Sequence, residues 1–257
     1  MIEYDLPPRR IVSLAPGLTE FLFMIGAADR LIAVTDYCEV PSDLSLPRLG
    51  GVSNPDLTLL ESLKPDLVLV DRSLGGPNAA AALDLSMPSY VMAVRSVAGA
   101  LDQLADLARV LGETDAAAPL LANLQIAIDT AYARQYQRRM RRVLAFTWRD
   151  PWLAVGGDCY ADDLLRLCGA ENLALRLPGR SPRAGLEAFI RHNPQVILLA
   201  TEPYPFELTD CNAFWRFGDV HAVLHRSIHL CSGRLLLRFG LHLPEAIETL
   251  SELIHRP

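Results

Sequence analysis

The first hundred residues alternate between short, wholly apolar runs and short amphipathic ones. Arg10-Ile11-Val12-Ser13-Leu14 is one apolar run, closed by Pro16-Gly17. Asp66-Leu67-Val68-Leu69-Val70 is another, apolar at every position rather than every second one. Such runs mark strands buried on both faces. Between them, Thr19 to Ala27 predicts a helix, Leu31 to Thr35 a strand, and Leu57 to Leu63 a short helix stopped by Lys64-Pro65. A helix near Pro77 to Leu85 then leads to a strand around Tyr90 to Val94. Strands and helices alternating at this length predict a mainly parallel sheet with helices on its faces.

The middle of the chain has a different period. From Ser96, apolar residues recur at helical spacing (Leu101, Leu104, Ala108, Leu111) until Gly112 ends the pattern. Thr114 and Asp115 are both good N-caps for a second helix. Its apolar face, Leu121, Leu124, Ile128, Tyr132, Tyr136 and Met140, advances in steps of three and four. A helix of roughly 28 residues would be about 40 Å long, enough to reach from one small domain to another. After Arg142 the first pattern restarts, with strands at Val143 to Trp148 and Trp152 to Val155. A helix from Asp158 to Cys168 follows, with Asp158 as its N-cap, then a helix near Leu186 to His192 and a strand at Gln195 to Ala200. A strand at Ser227 to Cys231 precedes one final helix from Gly233. The expected class is α/β: an N-terminal lobe over 1–112, a backbone helix linker over 113–142 and a C-terminal lobe over 143–257.

An internal echo joins the halves. Pro55-Asp56-Leu57-Thr58 leads to Pro65 and Leu67-Val68-Leu69-Val70; Pro182-Arg183-Ala184-Gly185-Leu186-Glu187 leads to Pro194 and Val196-Ile197-Leu198-Leu199. Each is a proline turn, a short helix, a stopping proline and a buried strand.

Composition excludes several classes. At 257 residues, 51% hydrophobic and 21% charged, the chain can build a substantial core. A formal net charge of −6 argues against nucleic acid as the main partner. The local exception is Arg138, Arg139, Arg141 and Arg142, read as a solvated helix end that complements the helix dipole, with an anionic docking patch as the alternative. No apolar run is long enough to span a bilayer. The start, Met1-Ile2-Glu3-Tyr4-Asp5, carries no secretory signal, which leaves a cytoplasmic protein or one whose leader has been removed. Five cysteines, odd in number and without a C-x-x-C, tilt towards a reducing compartment.

Catalytic signatures are missing: no G-x-S-x-G, no Walker loop and no G-x-G-x-x-G. All six histidines lie in the second half. His221, His225 and His229 are four apart, but the strand expected over Ser227 to Cys231 breaks their common face, so no metal site and no intrinsic cofactor are expected. Asp36, Asp71 and Glu202 are the acid–base candidates for an enzyme acting on a cofactor precursor, and no motif pairs them. Aromatic residues are better placed. Tyr37, Trp148, Trp152, Tyr204, Phe206 and Trp215 sit in or beside loops following strands, where open α/β sheets bind ligands. Arg149 and Arg180 share such loops, and aromatic faces beside guanidinium groups suit a large, flat or anionic ligand.

These residues resemble a known family. Arg10 to Pro16 with Thr19-Glu20, Leu63-Lys64-Pro65-Asp66-Leu67-Val68, and Leu167-Cys168-Gly169-Ala170-Glu171-Asn172 resemble the substrate-binding proteins of vitamin B12 and ferric-siderophore ABC importers. Trp148 to Asp158, Glu202 to Phe206 and Arg234 resemble a subgroup of cobalamin- or iron-binding receptors. The resemblance implies two Rossmann-like lobes with mainly parallel sheets, joined by a single long backbone helix. It implies a non-enzymatic, monomeric receptor holding a corrinoid, haem-like or ferric-chelate ligand in a cleft, with an ABC permease as partner and a periplasmic or membrane-anchored location. Tyr37 and Trp152 fall at two aromatic positions of the vitamin B12 binders, while Val52, Asp71 and Ser181 stand at others. Glu187 matches the second-lobe glutamate that docks on the permease. Thr58 stands at the first-lobe position, with Glu61 one turn away as a substitute. The family's disulfide from the Cys168 position to the final helix has no second cysteine here. The other reading left open is a cytoplasmic ligand-binding or sensor protein on the same scaffold.

Overall fold

The computed structural model describes residues 6–52, 54–72, 87–179 and 181–256. The helix expected near Pro77 to Leu85, and Arg180, lie outside the described residues. The chain divides into two compact units, one comprising Met1–Val94 and Gly99–Leu124, the other Arg95–Ala98 and Gln125–Pro257.

In the first unit, strands β1 (Ile11–Ser13), β2 (Leu31–Val34), β5 (Leu67–Asp71) and β6 (Ser89–Met92) form a parallel sheet in the order β2-β1-β5-β6, and β3 (Gly50–Gly51) and β4 (Asn54–Pro55) form a separate antiparallel pair. The apolar runs that predicted β1 and β5 are buried throughout. The first helix, Pro16–Met24, starts three residues before the expected Thr19, because Pro16 supplies the fixed φ and missing donor that suit a first turn. Leu57–Ser62 is helical, with the Asp56 side chain accepting from the Leu59 amide at 2.9 Å. Val12, Leu14, Leu60, Val68 and Val70 meet in the core beneath it.

The second unit repeats the plan. β7 (Arg141–Trp148), β9 (Ala170–Asn172), β11 (Val196–Ala200) and β12 (Ile228–Cys231) are parallel in the order β9-β7-β11-β12. Antiparallel strands β8 (Trp152–Ala154) and β10 (Arg183–Ala184) extend the sheet beside the far end of β7. Its core gathers Phe146, Trp152, Phe189 and Phe214 with the aliphatic residues of β7 and β11.

The echo between the halves reaches individual hydrogen bonds. The short helices Leu57–Ser62 and Leu186–Ile190 both end in a residue with positive φ ahead of a proline, Lys64 (φ 47) and Asn193 (φ 52). In the first unit the Arg10 Nε donates to the Lys64 carbonyl, and the Asp66 carboxylate accepts from the Arg10 amide at 2.8 Å. In the second the Arg142 Nε donates to the Asn193 carbonyl at 3.0 Å, and the Gln195 side-chain oxygen accepts from the Arg142 amide at 3.1 Å. The same clasp fastens strand to strand in both.

Three expectations need correction. The long helix is Thr114–Gln135, 22 residues and about 33 Å, rather than a helix to Arg142. It carries residues of both units. It gives way because Arg141 to Val143 pair with β9, and those ladder bonds replace further helical turns. Arg141 and Arg142 are therefore strand residues, not a helix end. Asp158 is not a cap: Cys159 holds that place, and Asp158 has φ 56 and pairs with Arg95 at 3.2 Å. The final helix is broken into Gly233–Leu237 and Leu243–His255, with Gly240 at φ 123 between them.

The five cysteines are free thiols. Cys168 sits against the final helix with its thiol directed at the Ile247 carbonyl, and burial pushes its pKa up to about 12. His192, His221, His229 and His255 titrate below the ordinary imidazole value, first because burial disfavours the charged ring and then because cationic neighbours repel it. The unfolded chain therefore takes up these protons first as pH falls below about 6.5. Stability is full above that value and declines below it, towards the lowered folded-state values. Thermal melts between about pH 8 and pH 5 should show Tm falling on the acid side, and a double His229→Gln/His255→Gln variant should show a flatter profile. A Tm that rises on acidification would contradict the assignment.

Candidate functional site

Parallel strands β7 and β11 deliver their following loops to the same edge of the second sheet. Trp148 closes β7 and remains 42% exposed, and Tyr204, four residues beyond β11, meets it edge-on at 5.6 Å between centroids. Tyr204 in turn leans on Phe206 at 4.7 Å. Arg149 pairs with Asp210 and with Asp150, and lies 5.8 Å over the Trp152 ring. Asp210 is itself fixed, because its carboxylate accepts from the Glu207 amide in a reciprocal capping box. Arg149, the residue after Trp148, is thus held by Asp210 and the Trp152 ring.

Trp152 was expected as a contact beside Trp148, and its surroundings are those of a core residue. It is 8% exposed, stacked on Phe206 and edge-on to Phe146 and Phe214. The apolar sequence around β8 puts it there, since alternate residues of β8 are buried. Phe206 and Phe214 are buried with it; Trp215 is 47% exposed.

Glu202, considered as an acid or base, is held as an acceptor. Its carboxylate takes hydrogen bonds from the Thr201 hydroxyl at 2.8 Å and the Gly233 amide at 2.5 Å. The loop carrying Tyr204 is thereby tied to the turn after β12. Gly233 permits that contact because it has no side chain: a Cβ there would fall 2.8 Å from the Glu202 backbone nitrogen and nearer still to its carbonyl oxygen. Asp71 is buried at the end of β5, and Asp36 is exposed.

In the first unit, Tyr37 is 61% exposed in the turn after β2. The turn is pinned by Arg48, whose guanidinium donates to the carbonyls of Thr35 and Cys38, both at 2.8 Å. Arg48 was not foreseen, and a lone arginine after a proline gives no sequence signal. Glu61 is exposed on helix Leu57–Ser62. Glu187, in the first turn of Leu186–Ile190, pairs with Arg216 at 2.5 Å beside a pocket of about 320 Å³ lined by Ile190, Arg191, Asn193 and Phe217. His221 and His225 stack at 4.2 Å while His229 lies on β12. Among the described residues no group of three His, Cys, Asp or Glu could hold a metal ion. Likewise, no helix there is long and apolar enough to cross a membrane.

A half-exposed tryptophan and its tyrosine neighbour at the carboxyl edge of a parallel sheet stand where open α/β sheets bind ligands. The periplasmic binding protein family model matches residues 11–211, and the chain belongs to that family. It is 23% identical over 257 residues to an uncharacterized ABC transporter substrate-binding lipoprotein of Bacillus subtilis, covering 96% of this chain and 80% of the relative. It is 27% identical over 214 residues to a vitamin B12-binding protein of Yersinia pestis, covering 80% and 74%. A periplasmic heme binding protein of Vibrio cholerae shares the fold with a TM-score of 0.80 at 24% identity, over 96% of this chain and 98% of that one. The chain is a solute-binding protein and not an enzyme, and the reading as an enzyme on a cofactor precursor is set aside. The Bacillus relative is a lipoprotein and the Vibrio protein is periplasmic, which does not support the cytoplasmic sensor.

Proposed function

We propose that this protein is the receptor of an ABC import system, holding a bulky corrinoid, haem-like or ferric-chelate ligand. The observation that carries this reading is the Trp148–Tyr204 pair, with Trp148 42% exposed and Tyr204 half-buried against Phe206. Two large rings packed edge to face offer apolar area at little entropic cost, which suits a flat macrocycle. Tyr37 is assigned to the ligand from the first unit, and Arg180 through its place in the sequence beside Ser181. Trp152 supports Arg149 rather than touching the ligand broadly. The division into lobes at 1–112 and 143–257 with a connector between is part of the same proposal, as are action as a monomer and location in the periplasm or at a membrane anchor. Glu187 and Glu61 are assigned to permease docking, and Glu187 must then exchange Arg216 for a partner's cation.

Titration with cobalamin, haemin and a ferric hydroxamate, followed by tryptophan fluorescence, tests the reading. At least one should bind with a Kd of about 10 µM or tighter. If none binds below about 100 µM, the proposal fails.

A further inference from the structure

The edge of the second sheet opposite Trp148 has a different chemistry. Parallel strands β7, β11 and β12 begin there, so the three turns that enter them lie along one edge. The turn into β7 carries Arg138 and Arg139, and the strand itself opens with Arg141 and Arg142; the turn into β11 carries Arg191; the turn into β12 carries Arg226. None of the six forms an ion pair among the described residues; the carboxylates of Glu171 and Glu187 are taken by Arg176 and Arg216, and Asp219 lines the same pocket as Arg191 without pairing with it. The last helix ends at the same edge. The Arg141 amide donates to the Gly169 carbonyl at 2.9 Å, and the His255 ring lies 3.2 Å from the adjoining Cys168 carbonyl. Burial, and then the charges of Arg138 and Arg141, hold His255 below its ordinary pKa, in keeping with uncompensated charge here.

Apolar side chains stand among these cations. Tyr136 is 91% exposed, Leu224 63% and Met140 40%. In a chain of net charge −6, six arginines on one edge with no ion pair among the described residues are a local reversal of sign.

We propose that this edge docks on an anionic lipid bilayer surface. Lipid phosphates answer the arginines, and Tyr136, Met140 and Leu224 enter the boundary between headgroups and acyl chains, where amphipathic surfaces bury apolar area. A nucleic acid would leave those three side chains against phosphate and water. The edge lies at the other end of β7 from Trp148, so the ligand face stays uncovered while the protein is docked. The proposal does not depend on which ligand is carried.

The test is co-sedimentation of the full chain with vesicles of phosphatidylcholine alone or mixed with phosphatidylglycerol at low salt. Binding is expected only with phosphatidylglycerol, and should be lost at about 1 M salt, where the Debye length is about 3 Å. An Arg138→Gln/Arg139→Gln/Arg226→Gln variant should lower the partition coefficient about 100-fold, about fivefold per charge, with Tm unchanged. Leu224→Ser is a second variant expected to weaken partition with every charge intact, so the edge remains testable if the triple variant folds poorly. Equal binding to both vesicles, or full binding by the variants, would overturn the proposal. So would tighter binding to a DNA duplex than to phosphatidylglycerol vesicles at the same salt.

Discussion

Gly233→Ala should leave little folded protein. The added methyl would overlap backbone atoms of Glu202, which cannot rotate away as a side-chain tip can. Relief requires β12 and the Tyr204 loop to separate, breaking the hydrogen bonds from the Gly233 and Arg234 amides to the Glu202 carboxylate. A loss of about 3 kcal/mol or more is expected, read as a large drop in the urea midpoint. Ser232→Ala, one residue earlier, removes only the N-cap to the Leu235 amide and should cost about 1 kcal/mol. If the two variants prove equally stable, the close approach of these backbones is wrong.

The second large effect separates two neighbouring tryptophans. Trp152→Ala empties the centre of a ring cluster with Phe146, Phe206 and Phe214, and should cost about 3 to 5 kcal/mol. Trp148→Ala removes a side chain that is nearly half exposed, so stability should move little. Ligand affinity should behave the other way, falling about tenfold or more for Trp148→Ala, a loss of about 1.4 kcal/mol. Melting curves and fluorescence titrations on both variants decide the matter. A Trp148→Ala protein that binds normally removes Trp148 from the site.

The strands were legible because a buried parallel strand leaves an unbroken apolar run, and β1, β5, β7 and β11 all fall where such runs predict them. Helix ends were less so. Nothing in Gln135 to Arg142 announces that sheet pairing by Arg141 will end the helix, since that depends on β9, some thirty residues later. The site divides along the same line. Exposed aromatics after strands could be picked out as a class, but Trp148 and Trp152 look alike in sequence. Only the packing of Phe206 and Phe214 makes one a surface and the other a core. Arg48, Asp210 and Gly233 act through partners 10 to 61 positions away, beyond the reach of local pattern.

The paired strand clasps have a consequence for charge. One uses the carboxylate of Asp66 as acceptor and the other the amide of Gln195, with the same backbone geometry around each. An acceptor position indifferent to ionisation is free to set local potential instead of shape. At Asp66 a negative charge offsets one of the two charges of Arg9 and Arg10. At Gln195 the acceptor beside Arg142 carries no charge. Exchanging Gln195 for aspartate would rewrite the electrostatics of that end of the lobe while leaving its architecture untouched.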